Sequence, residues 1–307
     1  YRKDVAAAVE RSITLTPVVQ TRDGMYRSYI PFGPYVRGFA TGPWSWRRHG
    51  KANFPTFDAI WSGQVIQPAN AIAAGDPRAQ GYLDVMEDRV TLEMARKSKY
   101  TKYKGYIKSR VDRYDPEKDY YAFGGFAFLM VWETLPNIYL ENDDIPQFVR
   151  SFHTWYAAGV NPHSDYTFWE CPFLSAAPNK VVEEAAFIVR FRNMLVMEDD
   201  GLLWLARGTP RAWLEQGKKI AVKNAPTHFG TVAYETVSDT DNGRINATVE
   251  MPSRGAPGEV VLRLRHPKAA PIKGVTVNGK EWRGFDKDKE TVILNGVTGT
   301  VVVTAQY

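Results

Sequence analysis

The 307-residue chain has few of the residues that build redox or metal chemistry. It contains one cysteine, Cys171, and five histidines. A single cysteine cannot form an internal disulfide, so cysteine usage does not identify the compartment. The sequence has no His-Glu-x-x-His motif and no cysteine pair. We therefore expect no metal and no cofactor, while an oxygen-ligated calcium ion stays open.

Other absences concern membranes, nucleotides and the start of the chain. No apolar run is long enough to span a bilayer. No glycine-rich loop of the G-x-G-x-x-G or Walker type is present, which disfavours nucleotide cofactors. The chain starts at Tyr1 without Met, a basic segment or a small-residue cleavage site. We expect the natural N-terminus to have been removed, by processing or by shortening of a longer chain.

The net charge of +5 is modest, and much of it lies between Arg96 and Lys104. Basic residues interleaved with tyrosines are able to hold RNA or an acidic polysaccharide. The same pattern is typical of a solvated loop whose lysine stems lie along apolar surface, and we favour this interpretation. We expect no nucleic-acid partner.

Residues 14–52 are irregular and rich in Gly, Pro, aromatic residues and arginine. A long loop of this kind is usually functional or disordered, and the aromatic residues argue against disorder. We expect it to fold over an opening in the scaffold, with Trp44 and Trp46 stacking on a substrate and Arg47 donating hydrogen bonds. The alternative is an exposed aromatic loop that has lost a partner domain.

Helical spacing of apolar residues predicts about six helices in residues 1–197. Asp143 and Asp144 are expected to cap one of them, and Lys180 to Met197 is expected to form a helix buried on several sides. The helices look alternately enclosed and amphipathic, which is typical of antiparallel pairs in a solenoid or a toroid. No internal repeat marks a regular solenoid.

After Met197 the apolar pattern alternates instead, and turn signals such as Asn278-Gly279 separate short runs. This pattern predicts an antiparallel β-sandwich in residues 198–307. A helical turn at residues 209–217 is expected to clamp the two domains together. The predicted strands are Lys219–Lys223, Phe229–Val237, Arg244–Glu250, Val260–Arg265, Gly274–Val277, Thr291–Leu294 and Thr300–Gln306, after a short strand at Leu202–Leu205.

The run Leu-Leu-Trp-Leu-Ala-Arg-Gly-Thr-Pro-Arg-Ala-Trp-Leu-Glu-Gln-Gly-Lys, residues 202–218, resembles a known group. It looks like the C-terminal part of bacterial six-hairpin (α/α)-toroid glycosidase-like proteins, which include disaccharide phosphorylases and α-L-fucosidases. The resemblance covers Asp143 to Gly243. It implies an α+β multidomain fold, an α-hairpin array of the (α/α)6-toroid type followed by the β-sandwich. It also implies a carbohydrate substrate and a periplasmic or extracellular location.

The chain departs from that family in size. A full toroid has six hairpins, and the helical pattern here predicts about three. Either the N-terminal half is missing from this chain, or a second chain supplies it, or the pattern underestimates the number of helices.

The turn His163–Pro172 gathers the best catalytic candidate. Glycoside hydrolysis needs two carboxyl groups, and Glu170 is the candidate general acid or base. Trp169 beside it would stack on a sugar and raise the pKa of the carboxyl by excluding water. His163 and Tyr166 are candidate substrate-binding residues of the same turn. The alternative is a loop glutamate that accepts hydrogen bonds from backbone amides.

The second carboxylate has several candidates. Asp58 follows the aromatic loop, but it is equally suited to stabilising a helix N-terminus. Asp165 lies five residues before Glu170, and its alternative role is an Asx-turn. Glu133 is a third choice, and Asn137 after it would hydrogen-bond sugar hydroxyls.

We therefore expect a glycoside hydrolase that acts in polysaccharide or oligosaccharide breakdown. One alternative is a polysaccharide lyase, with Tyr166 or His163 as base and Arg47 or Arg48 neutralising a uronate. Another is a non-catalytic carbohydrate-binding fragment. Cys171 as a nucleophile would need an activating base, and inert packing is the favoured role.

Overall fold

The computed structural model describes residues 3–4, 7, 19–20, 26–27, 66, 73–76, 135–161, 167–168, 181–255 and 257–307. The chain divides into two compact units, Tyr1–Ile188 and Val189–Tyr307. Three helices have both ends within the described residues: α1 (Leu135–Glu141), α2 (Ile145–Gly159) and α3 (Val181–Leu195). None of the described helices has the length and apolar character needed to cross a membrane.

The described part of the first unit contains α1, α2, the first half of α3 and short strands. Asp144 caps α2 by accepting a hydrogen bond from the Gln147 amide at 3.3 Å. Phe152 of α2 stacks on Phe187 of α3 with ring centroids 5.6 Å apart, and Phe168 lies 5.3 Å from the same ring. The strands form two-stranded antiparallel sheets: β1 (Val19–Gln20) with β2 (Tyr26–Arg27), and β3 (Val160–Asn161) with β4 (Thr167–Phe168).

The second unit is built from two sheets that contribute to one apolar core. One sheet has the strand order β13-β14-β10-β6-β5, and the other has the order β12-β11-β15-β9-β8-β7. The strands are β5 (Val196–Asp199), β6 (Leu202–Leu205), β7 (Lys219–Thr227), β8 (Gly230–Asp239), β9 (Arg244–Glu250), β10 (Glu259–Arg263), β11 (Gly274–Val277), β12 (Lys280–Trp282), β13 (Phe285–Asp286), β14 (Thr291–Ile293) and β15 (Thr300–Gln306).

Alternation of side chains explains why these residues form strands. Along β15 every second residue is buried, and Val301, Val303 and Ala305 are fully covered. Along β9 the buried residues alternate in the same way. Because successive side chains of a strand point to opposite faces, these patterns place one face of each strand in the core.

The predicted fold class is wrong. Among the described residues there is one pair of consecutive helices, α1 and α2, and no array of α-hairpins, while strands predominate. Two short strand pairs lie where the sequence indicated loops or turns. In the second unit β6 and β10 are parallel, so its sheets are not wholly antiparallel. Short apolar runs were assigned to helices by spacing, although spacing alone does not separate a short helix from a short strand.

Helix α3 also differs from its prediction. It ends at Leu195, and β5 replaces its expected last turn. Val181 and Ile188 are 72% and 64% exposed, whereas Glu183 and Arg190 are buried. The helix is therefore not covered on its apolar side in the way that the sequence indicated.

Candidate functional site

Nearly all of the residues predicted to act on a substrate lie outside the described residues. This applies to the catalytic candidates Glu170, Asp58 and Asp165 and to the binding candidates Trp169, Trp44, Trp46, Arg47, Tyr166 and His163. Their roles therefore stay predictions.

Asn137 is the predicted site residue that the structure describes. It lies in α1 beside Ile138, and 7% of its surface is exposed. Asn137 is therefore a buried residue. The carboxylate candidates lie outside the described residues, so a shared site with Asn137 stays a prediction.

A groove of about 430 Å³ opens on the surface of the second unit. Among the described residues, its lining combines apolar side chains with two lysines and includes no carboxylate: Phe191, Leu195, Trp213, Lys218, Lys219, Ile220 and Ala221. The rings of Phe191 and Trp213 form one wall, with centroids 6.4 Å apart and planes inclined by 59°. Such a lining suits a ligand that has both an apolar face and negative charge.

The run that carries the family resemblance places Trp213 in this groove. Residues Arg211–Leu214 form a single 3₁₀ turn after Pro210. Leu214 is fully buried in the core of the two sheets, so the neighbouring Trp213 is held at the surface with its ring partly packed on that core. Gly217 has a φ of 73°, a left-handed conformation that favours glycine, and it directs the chain into β7.

The two lysines of the groove form exposed ion pairs. Lys218 donates to the Ala212 carbonyl at 3.0 Å and pairs with Glu215 at 2.7 Å. Lys219 pairs with Glu235 of the neighbouring strand. All four charged side chains are more than 40% exposed, and exposed ion pairs contribute only about 0–1 kcal/mol. The ammonium groups are therefore free to exchange these partners for a ligand's anion.

An ionic cluster fastens the same turn to the sheets. Arg211 donates two hydrogen bonds of 2.7 Å to the two carboxylate oxygens of Glu290. The His266 amide donates to this carboxylate at 3.1 Å, and Arg265 lies 3.8 Å from it. Glu290 is 6% exposed and has a φ of 55°, unusual for a residue with a side chain. A carboxylate with so many donors is suited to holding the surrounding structure in place.

His266 belongs to this cluster as a neutral ring. Its Nδ1 atom accepts hydrogen bonds from the amides of Lys268 and Ala270, at 3.2 and 3.4 Å. The pKa of His266 is lowered mainly by burial, with Glu290 acting in the opposite direction. The ring also lies 4.9 Å from that of Tyr307. This arrangement fixes a loop and offers no proton to a substrate.

A second arginine cluster surrounds Trp204 of β6. The guanidinium carbons of Arg207 and Arg263 lie 4.3 and 5.3 Å from the centre of its ring. Arg207 also pairs with Asp199 at 2.7 Å, and both arginines are almost fully buried. Cation–π contacts and the ion pair stabilise this side of the sheet. Among the described residues, no group of His, Cys, Asp or Glu is arranged to hold a metal ion.

The groove was not predicted from the sequence. Trp213 lies within the predicted turn at residues 209–217, while Phe191, Lys218 and Lys219 were not candidate residues. The sequence did contain a pattern that could have indicated this groove. Trp213 and the pair Lys218-Lys219 lie on either side of Leu214, in a run that turns at Gly217. Phe191 could not have been added from sequence, because its position depends on the packing of α3.

Comparisons with known proteins show little. No family model matches the sequence, and no curated protein matches it. A solved structure titled "Glycoside hydrolase" is similar to the chain with a TM-score of 0.38 and 11% sequence identity, over 81% of this chain. The chain spans 46% of that protein's length. A similarity of this size assigns neither a fold nor an activity.

Proposed function

We propose that this chain belongs to an enzyme that cleaves glycosidic bonds in polysaccharides or oligosaccharides by carboxylate acid–base catalysis. The proposal is supported by the family resemblance of residues 202–218. The observation that carries it is the 3₁₀ turn Arg211–Leu214, which lies in residues 209–218, the most specific part of that resemblance. It is an ordered element, fastened by Glu290 and displaying Trp213 on a groove.

In this proposal the catalytic groups come from residues 1–197, and residues 198–307 form a second domain without catalytic groups. Glu170 protonates the leaving oxygen or activates water, and Asp58 or Asp165 supplies the other carboxyl group. Trp169 covers one face of the sugar. The resemblance places such an enzyme in the periplasm or outside the cell.

The experiment compares Glu170→Gln with wild type on a panel of polysaccharides, by measuring newly formed reducing ends. Glutamine keeps the size of the side chain and removes the proton, so turnover is expected to fall about a hundredfold or more. Glu281→Gln is the matched control, since the Glu281 side chain is 82% exposed on β12. Unchanged turnover in Glu170→Gln would remove Glu170 from the mechanism. Failure of wild type to cleave any glycan of the panel would contradict the proposal itself.

A further inference from the structure

We infer that the groove formed by Phe191, Trp213, Lys218 and Lys219 binds an acidic oligosaccharide, one whose sugars carry carboxylates. The inference rests on the proposed function in taking a sugar as the ligand. It goes beyond that function by placing a binding site on the second unit, Val189–Tyr307.

The aromatic wall supplies the contact for a sugar ring. A pyranose has an apolar face of C–H groups, and an indole ring offers the largest flat apolar surface among side chains. Trp213 is half-buried against the core, so its orientation is set before a ligand arrives. Phe191, 39% exposed and inclined to it by 59°, closes the groove from the side. The two rings define a wall for one sugar rather than a flat platform for a polymer.

Charge identifies the sugar as acidic. The described residues of the lining contribute two ammonium groups and no carboxylate. The present partners of these lysines, Glu215 and Glu235, lie outside the lining and are 55% and 43% exposed. Exchanging an exposed carboxylate for that of a ligand costs little, because such ion pairs are weak. The net charge of +5 adds a favourable long-range attraction for an anionic polymer.

The fixed position of the turn makes the site preorganised. Arg211 is held by both oxygens of Glu290, and Leu214 is fully buried on the opposite side of the turn. Ligand binding therefore orders only the lysine side chains, and the loss of conformational entropy is small.

The inference is tested by isothermal titration calorimetry of the full chain with a galacturonate hexasaccharide at low ionic strength. A galactose hexasaccharide is the neutral comparison. Wild type is expected to bind the acidic sugar at least about tenfold more tightly than the neutral sugar. A tenfold difference in affinity corresponds to the contribution of one charge-assisted hydrogen bond. The double variant Lys218→Gln/Lys219→Gln is expected to lose that preference. Both side chains are more than half exposed, so the fold is unaffected.

Two further variants sharpen the result. Trp213→Ala is expected to weaken binding of both sugars by about tenfold through loss of the ring contact. Lys223→Gln changes an exposed lysine of β7 outside the groove and is expected to bind like wild type. The inference is overturned if wild type does not bind the acidic sugar, if the neutral sugar binds equally well, or if Lys223→Gln loses as much affinity as the double variant.

The same titration separates this inference from the proposed function. Glu170→Gln is expected to bind the acidic hexasaccharide at the groove with unchanged affinity. Cleavage of glycans without binding at the groove would overturn the inference alone. Binding at the groove without cleavage of any glycan would support the inference and contradict the proposed enzyme.

Discussion

The ion pair between Arg211 and Glu290 gives the sharpest prediction about stability. Replacing Glu290 by Gln keeps the shape of the side chain and removes its charge. Two hydrogen bonds of 2.7 Å lose their anionic acceptor, and Arg265 loses a carboxylate at 3.8 Å. Removing one partner of a buried pair costs about 3–5 kcal/mol. Because the Arg211 side chain is 30% exposed, water replaces part of the interaction, and we expect the lower end, about 3 kcal/mol.

Urea denaturation followed by circular dichroism measures this loss as a lower transition midpoint at an unchanged slope. Glu215→Gln is the matched control, since Glu215 pairs with Lys218 in the same turn and is 55% exposed. It should cost less than about 1 kcal/mol. In a double-mutant cycle, Arg211→Met combined with Glu290→Gln should be less destabilising than the sum of the single changes. Equal urea midpoints for Glu290→Gln and Glu215→Gln would contradict the claim that the buried ion pair stabilises the fold more than the exposed one.

Three further predictions concern other parts of the second unit. Burial lowers the pKa of His266 below 6.5, so the unfolded chain binds the proton more readily than the folded chain. The free energy of unfolding should therefore fall as the pH decreases below about 6.5. Thermal melts at several pH values should show a smaller fall in His266→Gln. Gly230→Ala should be more destabilising than Gly217→Ala in urea denaturation. A Cβ atom at Gly230 would lie 3.0 Å from the Cβ atom of Arg254, whereas a Cβ atom at Gly217 would meet open space. Gly217→Ala should cost about 1–2 kcal/mol for its positive φ alone. Tyr307→Phe should cost about 1 kcal/mol in the same assay, since its buried hydroxyl donates a hydrogen bond of 2.6 Å to a backbone carbonyl.

The strands of the second unit were predictable where alternation and turn signals agree. The bounds of β9, β11 and β15 match the prediction residue for residue. At Asn278-Gly279 both residues have positive φ, as the tight turn after β11 requires. Local sequence chemistry was sufficient there, because burial alternates along each strand.

Other elements depend on contacts that are distant in sequence. Strand β5 was read as the end of a helix, because its apolar residues continue the helical spacing of α3. Its turn signal, Asp200-Gly201 with positive φ at both residues, was available but was not used. The parallel pairing of β6 with β10 has no local signature, since it joins residues more than fifty positions apart. The groove depends on α3 in the same way, because Phe191 meets Trp213 only after folding.

The toroid prediction failed because it extended a local resemblance over the whole chain. Residues 202–218 carry the family resemblance, and Arg211–Leu214 within them form a 3₁₀ turn. The helix array was inferred from apolar spacing in residues 1–197, and the described part of that region holds three helices, α1, α2 and α3, with short strands. A specific run of seventeen residues does not determine the fold of the residues that precede it.

The proposal that this protein hydrolyses glycosidic bonds is tested most directly by the identity of the reaction product. Wild-type protein is incubated with neutral and uronate-containing polysaccharides, and the released oligosaccharides are analysed by mass spectrometry. We expect products that gain one water per bond cleaved, because the carboxylates of a hydrolase direct water to the anomeric carbon. Products that lack this water and absorb as unsaturated uronates would contradict it and identify a lyase.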